Sequence, residues 1–473
     1  MCRFLLVALH IDAVLGEVTI HQRRKKLKEM VQGNGLSDAY TATLTRMKAQ
    51  KGNKSVLGIK VLMWVLYSER PLRPRELCHA LGVEIGSSDL ELENIPALRT
   101  LTASCLGLVT IEASSSTVRL VHFTLQEHLL NNPALFHTPH SEIAEICLTY
   151  LNYGSVYDLS PTLHSAPLTM PLLEYASCYW GEHARMGITE NGKILALKLL
   201  DRFNEHISAQ LLLLRNNYER TSGPYFSGAK GPVGFTGLHG VSFLGIVEIV
   251  ASILGMKEWN LNQSDCMGCT ALIWAAVKGH DGVVRILLER GDINPDQADT
   301  EYGRMPLSWA AANGHEGVVR ILLEREDVNP NQVDTEYGQT PLSWAAENGH
   351  EGVVRILLKW EDINPDQADN YGQTPFMWAA VMGHESVVKV LLEREDVNPN
   401  HPDTEYGRTP LSWAAWFGHV AVVKILLERQ DVSATALDHE GQTPLSLALS
   451  KGRDEVVRVL RDNANSRTTH RGV

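Results

Sequence analysis

Apolar residues in the second half of the chain fall into paired short clusters that recur every 34 or 35 residues. In one such unit the first cluster is Leu342 to Ala346, and the second is Val353 to Leu358, whose apolar positions keep helical spacing. Each cluster fits a short helix, and one helix pair has more apolar surface than it can bury by itself. The pattern therefore predicts helix pairs that stack on their neighbours, and the fold class is mostly α with a helical solenoid.

The phrase Thr-Pro-Leu-Ser-Trp-Ala-Ala, found at residues 340–346 and again at 409–415, marks the start of the first helix in each pair. The Thr340 hydroxyl can accept a hydrogen bond from the first free N–H groups, and Pro341 takes the first helical position, where no N–H is needed. Gly349 is expected to end this helix with positive φ. Phrase and period together are the ankyrin signature. The turn glycines are Gly268, Gly303, Gly338, Gly372, Gly407 and Gly441.

A weaker copy that begins at Gly234 precedes six clear repeats, which predicts about seven ankyrin repeats over residues 233–465. The last unit carries Leu447, Leu449 and Arg453 where the others carry Trp, Ala and His. This departure is expected of a terminal repeat whose outer face meets water. Residues 466–473 are predicted to form a disordered tail.

The region from 53 to 130 has the pattern of three helices followed by a hairpin, which predicts a winged helix. The predicted helices are 55–67, 75–81 and 95–106, and the predicted strands are 108–112 and 118–123. Winged helices often bind DNA through the third helix, so a DNA-associated regulator is one alternative function. Because that helix holds a single basic residue, Arg99, and phosphate contacts need several, nucleic acid is not expected as a partner.

The phrases Trp64 to Leu72, Leu101 to Val109 and Val118 to Thr124 resemble the winged helix that follows the NACHT nucleotide-binding domain in fungal STAND proteins. That module is labelled after GPI inositol-deacylase. The resemblance continues through a helical linker, predicted over residues 131–232, that in this family leads to ankyrin repeats; its matching phrases are Ile143 to Leu151, Pro171 to Ala176 and Tyr179 to Ala184. Residues 1–52 resemble a helical remnant that follows a NACHT module.

The resemblance implies the recognition part of a fungal nonself-recognition protein, with a protein partner in the concave groove of the ankyrin repeats. A full-length NACHT relative is a second partner that it implies. The phosphate loop G-x-x-x-x-G-K-[ST] of full-length members is not found, and the nearest string is Gly223 to Lys230. A truncated form of a nucleotide-dependent NACHT switch is therefore the other alternative.

No catalytic, cofactor or metal site is predicted, since neither a G-x-S-x-G elbow nor an H-E-x-x-H motif occurs. Cys266 and Cys269 form a lone C-x-x-C that is read as a plain turn, because tetrahedral zinc needs four ligands. The basic run Arg23 to Lys26 is read as a solvated helix face. An enzyme is not expected.

Charge is concentrated in the repeats: residues 268–462 hold 17 Lys and Arg against 31 Asp and Glu, a net charge of −14, while the whole chain carries −12. This favours a neutral or basic protein partner. The apolar run Phe4 to Leu9 is too short to span a bilayer, so no membrane association is expected. Seven cysteines without a disulfide pattern favour a reducing, cytoplasmic location.

Five tryptophans recur one position before the Ala-Ala pair and are predicted to lie in the core rather than to bind a ligand. They are Trp274, Trp309, Trp344, Trp378 and Trp413. The informative positions are those at which near-identical repeats differ, just after the Ala-Ala pair. There, Val381, Met382, Trp416 and Phe417 predict an apolar patch in the groove, and Trp416 is the expected partner anchor.

Glu347 and Ala312 occupy the same position in earlier repeats and complete the predicted partner-binding surface. Its rim is predicted at the turn tips. The rim residues are Arg304, Gln339, Gln373 and Arg408. The alternative is that these positions merely tolerate variation.

Overall fold

The computed structural model describes residues 18–31, 36–218, 232–256 and 259–469. The described residues are mostly helical, with two short strands, which confirms the mostly helical fold class. It forms two compact units, one ending at Arg215 and one running from Val233 onwards, with short intervening stretches assigned to either. Among the described residues, no helix is long and apolar enough to cross a membrane.

The first unit contains three helices followed by an antiparallel hairpin, in which Val109 pairs with Leu120 and Glu112 with Thr117. Trp64, Leu77 and Leu101 form its core, each almost fully buried. These elements are Lys54–Tyr67, Pro74–Gly82, Leu98–Ser104, Val109–Glu112 and Thr117–Leu120. The arrangement is that of a winged helix.

Two predicted element boundaries in this region are wrong. The third helix begins at Leu98 rather than residue 95, because Pro96 follows a separate 3-10 turn, Leu92–Asn94. The second strand ends at Leu120 rather than residue 123, since the His122 side chain caps a further helix, Phe123–Leu130. The pattern of alternating residues continues past the strand, which is why the sequence suggested a longer one.

Helices flank the winged helix on both sides in the chain. Ile20–Val31 and Leu36–Lys48 precede it. After the winged helix in the chain comes a helical region that has no strand among its described residues, and Trp180 and Cys147 are buried in it. The helices of that region are Pro139–Leu151, Gly154–Tyr157, Leu173–Arg185, Glu190–Leu200 and Ile207–Tyr218, with 3-10 turns at Pro133–Leu135 and Phe203–Glu205.

The second unit consists of seven helix pairs in its described residues, here called repeats 1 to 7, and the first helices of neighbouring repeats pack side by side. The first helices are Gly237–Leu244, Ala271–Lys278, Pro306–Ala312, Pro341–Glu347, Pro375–Met382, Pro410–Phe417 and Pro444–Ser450. The second helices are Val247–Met256, Asp281–Leu288, Glu316–Leu323, Glu351–Leu357, Glu385–Leu392, Val420–Glu428 and Asp454–Thr469. The predicted solenoid of stacked helix pairs is confirmed.

The predicted helix starts and ends of repeat 4 are confirmed. The Thr340 side chain accepts a hydrogen bond from the Ser343 N–H at 3.1 Å. Gly338 and Gly349 have φ values of +74° and +75°. A side chain at Gly349 would meet the next repeat as well, since a Cβ built there lies 2.6 Å from Nδ1 of His384. Both the backbone conformation and the stacking therefore require glycine at this position.

In repeats 2 to 6, an aspartate in the turn accepts a hydrogen bond from the core tryptophan of the same repeat. Asp334 accepts the N–H groups of Glu336, Tyr337 and Gly338 on one oxygen, while its other oxygen accepts the Trp344 indole N–H at 2.9 Å. The same indole bond recurs at 2.7 to 3.0 Å in repeats 2, 3, 5 and 6. Its members are Asp265 with Trp274, Asp299 with Trp309, Asp369 with Trp378 and Asp403 with Trp413.

The last helix continues to Thr469, beyond residue 465, where the tail was predicted to begin. Neither Gly nor Pro occurs between Asn463 and Thr469, so nothing in the sequence stops the helix there. Residues 470–473, the run Phe4 to Leu9 and the string Gly223 to Lys230 lie outside the described residues, as do the side chains from Lys26 to Leu36.

Candidate partner-binding surface

The variable positions after each Ala-Ala pair lie in the last turn of a first helix, where the next repeat fixes their backbone. In each of repeats 2 to 6, a histidine ring Nε2 donates to the carbonyl oxygen of this position in the preceding repeat, at 2.8 to 3.0 Å. The pairs are His280 with Phe243, His315 with Val277, His350 with Ala312, His384 with Glu347 and His419 with Val381. These contacts hold the surface positions at a constant spacing.

The apolar part of the predicted surface lies on repeats 5 and 6, whose first helices are neighbours. Met382 and Phe417 are 48% and 42% exposed, whereas Val381 and Trp416 are half-buried. The Phe417 ring stacks on Trp413 at a centroid distance of 5.8 Å. Two large apolar side chains thus stand exposed in the same position of adjacent repeats, on a rigid base.

Trp416 is less available than the sequence suggested, because two cations lie over its ring. The Arg408 guanidinium is 4.3 Å from the ring centroid and the Lys451 ammonium is 3.8 Å from it. The Arg453 Nε donates to the Trp416 carbonyl oxygen at 3.2 Å, in the place that histidine takes in the other repeats. Trp416 therefore supports the patch from within, and the exposed members are Met382 and Phe417.

Repeats 3 and 4 present a polar set instead. The Gln339 amide donates to the Glu347 carboxylate at 2.9 Å. The Arg304 guanidinium lies 3.5 Å from the Trp344 ring centroid and 4.8 Å from that of Trp309, in a cation–π arrangement. Burial raises the pKa of Glu347, with Gln339 acting in the opposite direction, and burial lowers the pKa of Arg304. Gln339 and Glu347 are therefore hydrogen-bonded to each other, while Arg304 lies over two tryptophan rings and its Nε has no hydrogen-bond partner among the described residues.

The prediction of an exposed rim is wrong for two of its four members. Gln339 is 1% exposed and Arg408 is 4% exposed, while Arg304 and Gln373 are half-buried. Arg408 folds inward because its Nε donates to Asp438, at 3.1 Å, in repeat 7, where Leu447 replaces the usual tryptophan and leaves that carboxylate without an indole N–H. Ala312 is also buried, at 3%, and offers little surface.

The five core tryptophans have the predicted packing role with a gradient in burial. Trp274, Trp309 and Trp344 are 1%, 2% and 8% exposed, and Trp378 and Trp413 are half-buried. Sequence reasoning missed the aspartate partners, although they stand nine or ten positions before each tryptophan at a regular spacing. That spacing was the signal from which they could have been found.

The C-x-x-C pair lies across the turn of repeat 2, as the sequence suggested. The Cys269 N–H donates to the Asp265 carboxylate at 3.0 Å, and the Cys266 N–H donates to the Val233 carbonyl at 3.0 Å. Burial raises the pKa of the Cys269 thiol well above its ordinary value, which disfavours the thiolate that metal binding or redox chemistry needs.

Comparison with known families agrees with both units. The family model of ankyrin repeats matches residues 203–299, 238–334, 307–403 and 395–470, which together cover more than half of the chain. The model described as GPI inositol-deacylase, winged helix domain, matches residues 44–144. A winged helix and ankyrin repeats are thus present in the same chain.

Among solved structures, the chain is similar to the ankyrin repeat domain of human ASB11, with 23% sequence identity and a TM-score of 0.41. The match covers 47% of this chain and 96% of that one. No curated protein matches the chain at a significant level. With its helix pairs, turn glycines and aspartate–tryptophan bonds repeated along the second unit, and with the family match over residues 203–470, the chain belongs to the ankyrin-repeat family.

Proposed function

We propose that this chain is a protein-interaction scaffold whose ankyrin repeats recognise a partner through the patch formed by Val381, Met382, Trp416 and Phe417. The observation that carries the proposal is the pair of exposed apolar side chains, Met382 and Phe417, on adjacent repeats. Ankyrin repeats generally serve protein–protein interaction, and exposed apolar groups on a rigid base are what such a contact uses. Trp416, whose ring is in cation–π contact with Arg408 and Lys451, forms the base of the patch.

The proposed partner has an apolar group that contacts the patch, and the surface around that group is neutral or basic. The repeats carry a net charge of −14 over residues 268–462, counted as 17 Lys and Arg against 31 Asp and Glu. Some of this charge is paired locally, as between Glu351 and Arg355 at 2.8 Å and between Glu385 and Lys389 at 2.6 Å. The excess of carboxylates over cations steers positively charged surfaces towards the repeats.

The wider context that we propose is the recognition part of a fungal STAND or NLR-like nonself-recognition protein. The resemblance of the winged-helix and linker phrases to NACHT-associated proteins supports it, and so does the winged-helix family match at residues 44–144. In this proposal the chain acts in the cytoplasm, has no enzymatic activity of its own, and has a full-length NACHT relative as a second partner. The ankyrin fold is generally non-enzymatic, which agrees with that role.

The test is affinity capture by the full chain from an extract of its source organism, quantified by mass spectrometry. The informative bait is the double variant Met382→Glu with Phe417→Glu, which places two charges on the patch while altering side chains that are about half exposed. The expected result is loss of at least tenfold in the amount of partner captured, since an unpaired charge in a desolvated contact costs several kcal/mol.

The matched control is Trp360→Glu, which also charges a partly exposed aromatic residue, 38% exposed, but after a second helix and away from the patch. It is expected to capture the partner as the wild type does. Equal capture by the double variant and the wild type, with both chains melting at the same temperature, would overturn the proposed site.

A further inference from the structure

Three potential metal ligands from distant parts of the sequence meet in the first unit. Glu69 follows the helix Lys54–Tyr67, His140 lies in the first turn of Pro139–Leu151, and His183 lies in the last turn of Leu173–Arg185. One carboxylate oxygen and one ring nitrogen from each histidine lie within 4.8 Å of one another. The residues are spread over more than a hundred positions, so no spacing motif marks them in the sequence.

The two imidazoles face each other through the same ring atom. The Nδ1 atoms of His140 and His183 are 2.9 Å apart, and the ring centroids are 5.1 Å apart. Two nitrogens pointing at one another either share a single proton or hold a common ion between them. The Glu69 carboxylate is the third group at this point, and its side chain is exposed.

A second contact fixes the orientation of His183, which is fully buried. Its Nε2 is 2.9 Å from the hydroxyl of Tyr175, and that hydroxyl accepts the backbone N–H of Glu69 at 3.1 Å. Histidines that bind a metal commonly donate their other ring N–H to a carboxylate, a backbone carbonyl or water, and the hydroxyl oxygen of Tyr175 offers a comparable acceptor. With the proton on Nε2 donated to Tyr175, the Nδ1 lone pair of His183 points at the space it shares with His140 and Glu69.

Burial disfavours the charged form of both histidines. Burial lowers the pKa of His183 to about 3, and the nearby His140 acts in the same direction. The pKa of His140 is also lowered by burial, against an opposing effect of Glu69.

The neighbouring cations already have carboxylate partners. Arg185 pairs with Glu182 on the same helix. Arg70 forms a two-pronged contact with Glu76, at 2.8 and 2.9 Å, and lies over the Tyr175 ring. Both arginines are therefore paired with other carboxylates, although Glu69 also attracts Arg185.

We propose that Glu69, His140 and His183 form a binding site for a divalent transition metal of the Zn²⁺ type, with Tyr175 as the residue that orients His183. Two imidazoles and one carboxylate are a donor set that zinc uses, with the fourth tetrahedral position open to water. The bound ion links the winged helix to two helices of the region that comes after it, all within the first unit. This site is independent of the proposed partner contact on the repeats.

The experiment uses the purified full chain, stripped of metal and then equilibrated with Zn²⁺ alone. One equivalent of zinc per chain is expected by elemental analysis, with a higher melting temperature than the metal-free chain. Co²⁺ in its place should give the intense visible absorption of a four-coordinate site. Glu69→Gln alters an exposed side chain, and His140→Ala alters a half-buried one that also packs against Tyr67, so the melting temperature of each metal-free variant is measured as well.

Both variants should weaken zinc binding by at least tenfold, whereas His137→Ala, an exposed histidine three positions away from His140, should leave it unchanged. Tyr175→Phe keeps the ring and removes the hydroxyl, and a tenfold to hundredfold loss of affinity is expected for an orienting partner. Cys266→Ser, in the C-x-x-C turn, should have no effect.

Three results would overturn the site. The first is absence of zinc binding by the folded wild type. The second is zinc binding that Glu69→Gln and His140→Ala leave intact, and the third is zinc binding that Cys266→Ser abolishes. The first result would mean that the two histidines share a proton, with the Tyr175 hydroxyl donating to His183.

Discussion

Some side chains in the repeats form hydrogen bonds with two separate structural features, and the clearest case is the aspartate in the turn of repeats 2 to 6. Asp334 holds three backbone N–H groups of its turn and the indole N–H of Trp344. A buried carboxylate is stable only when its oxygens are hydrogen-bonded, so the aspartate and the tryptophan depend on one another. In repeat 7, where leucine replaces tryptophan, Arg408 of repeat 6 supplies the missing donor to Asp438.

Trp344→Ala is expected to lower the free energy of unfolding by about 3–5 kcal/mol, as other large truncations in protein cores do. The loss has two sources, since a side chain that is only 8% exposed leaves a cavity, and Asp334 loses an indole donor. Urea denaturation followed by circular dichroism measures it.

Trp344→Phe separates the two sources, because it keeps an aromatic ring in the core and removes the indole N–H. A loss of about 1–3 kcal/mol is expected for the carboxylate that is left without this donor. A Trp344→Ala chain with unchanged stability would contradict the placement of the tryptophans in the core.

At the scale of the helix, repeat 1 differs from the others in how its first helix begins. His239 stands where repeats 3, 4, 6 and 7 have serine, and its Nδ1 accepts the Thr236 N–H at 3.1 Å. Its Nε2 donates to the Gln263 carbonyl at 3.0 Å. Burial lowers the pKa of His239 to about 4, against the opposing effect of its backbone hydrogen bonds.

The folded state disfavours protonation of His239. The contribution of neutral His239 to the free energy of unfolding is therefore present in full above a pH of about 6.5, the ordinary histidine pKa. The contribution falls as the pH is lowered from about 6.5 towards 4, and the loss amounts to roughly 3 kcal/mol at most. Hydrogen exchange of residues 237–256 at several pH values is the measurement. His239→Ser is expected to remove the pH dependence of this helix pair.

The turn after each first helix offers a second test at the same scale. Gly349 and Gly452 both have positive φ, +75° and +66°, but only Gly349 faces a histidine of the next repeat, His384. Gly452→Ala is expected to cost about 1–2 kcal/mol for the left-handed backbone alone. Gly349→Ala is expected to cost more, since its Cβ would lie 2.6 Å from the His384 ring.

The difference between the two alanine variants, measured by thermal unfolding, isolates the cost of disturbing the contact between repeats. Equal losses would mean that His384 moves aside freely and that its hydrogen bond to the Glu347 carbonyl contributes little.

For the molecule as a whole, the solenoid could be predicted because the sequence features that specify it are local and recur from repeat to repeat. The period, the Thr340 cap and the glycine turns are each encoded within a few residues. The features that the sequence did not reveal depend on contacts between distant segments. The burial of Arg408 results from the absence of tryptophan in the next repeat, and the His140–His183 contact joins segments that no local pattern relates.

Deletion of residues 338–371 removes one full period and joins Tyr337 to Gly372, so the turn sequence is preserved. His384 then meets the Ala312 carbonyl that His350 meets in the intact chain, and every type of contact between repeats is retained. This shortened chain is expected to fold cooperatively and to lose the stability of about one repeat and one interface.

Removal of repeat 7 is expected to be more damaging than the internal deletion. Arg408 then loses its ion pair with Asp438, and the Trp416 ring loses its cation–π contact with Lys451. The Trp416 carbonyl loses its hydrogen bond from Arg453. Urea titrations of both shortened chains compare the two losses directly, and an equal or smaller loss on removing repeat 7 would contradict the capping role of that repeat.

In repeats 2 to 6, the histidine that follows each first helix reaches back to a carbonyl of the preceding repeat, 37 or 38 positions earlier in the chain. During synthesis the amino-terminal portion of a chain emerges first. Each new repeat leaving the ribosome therefore finds its acceptor already in place and can dock at once. This histidine contact therefore forms as soon as a repeat emerges, and it needs no repeat that is still to be synthesised.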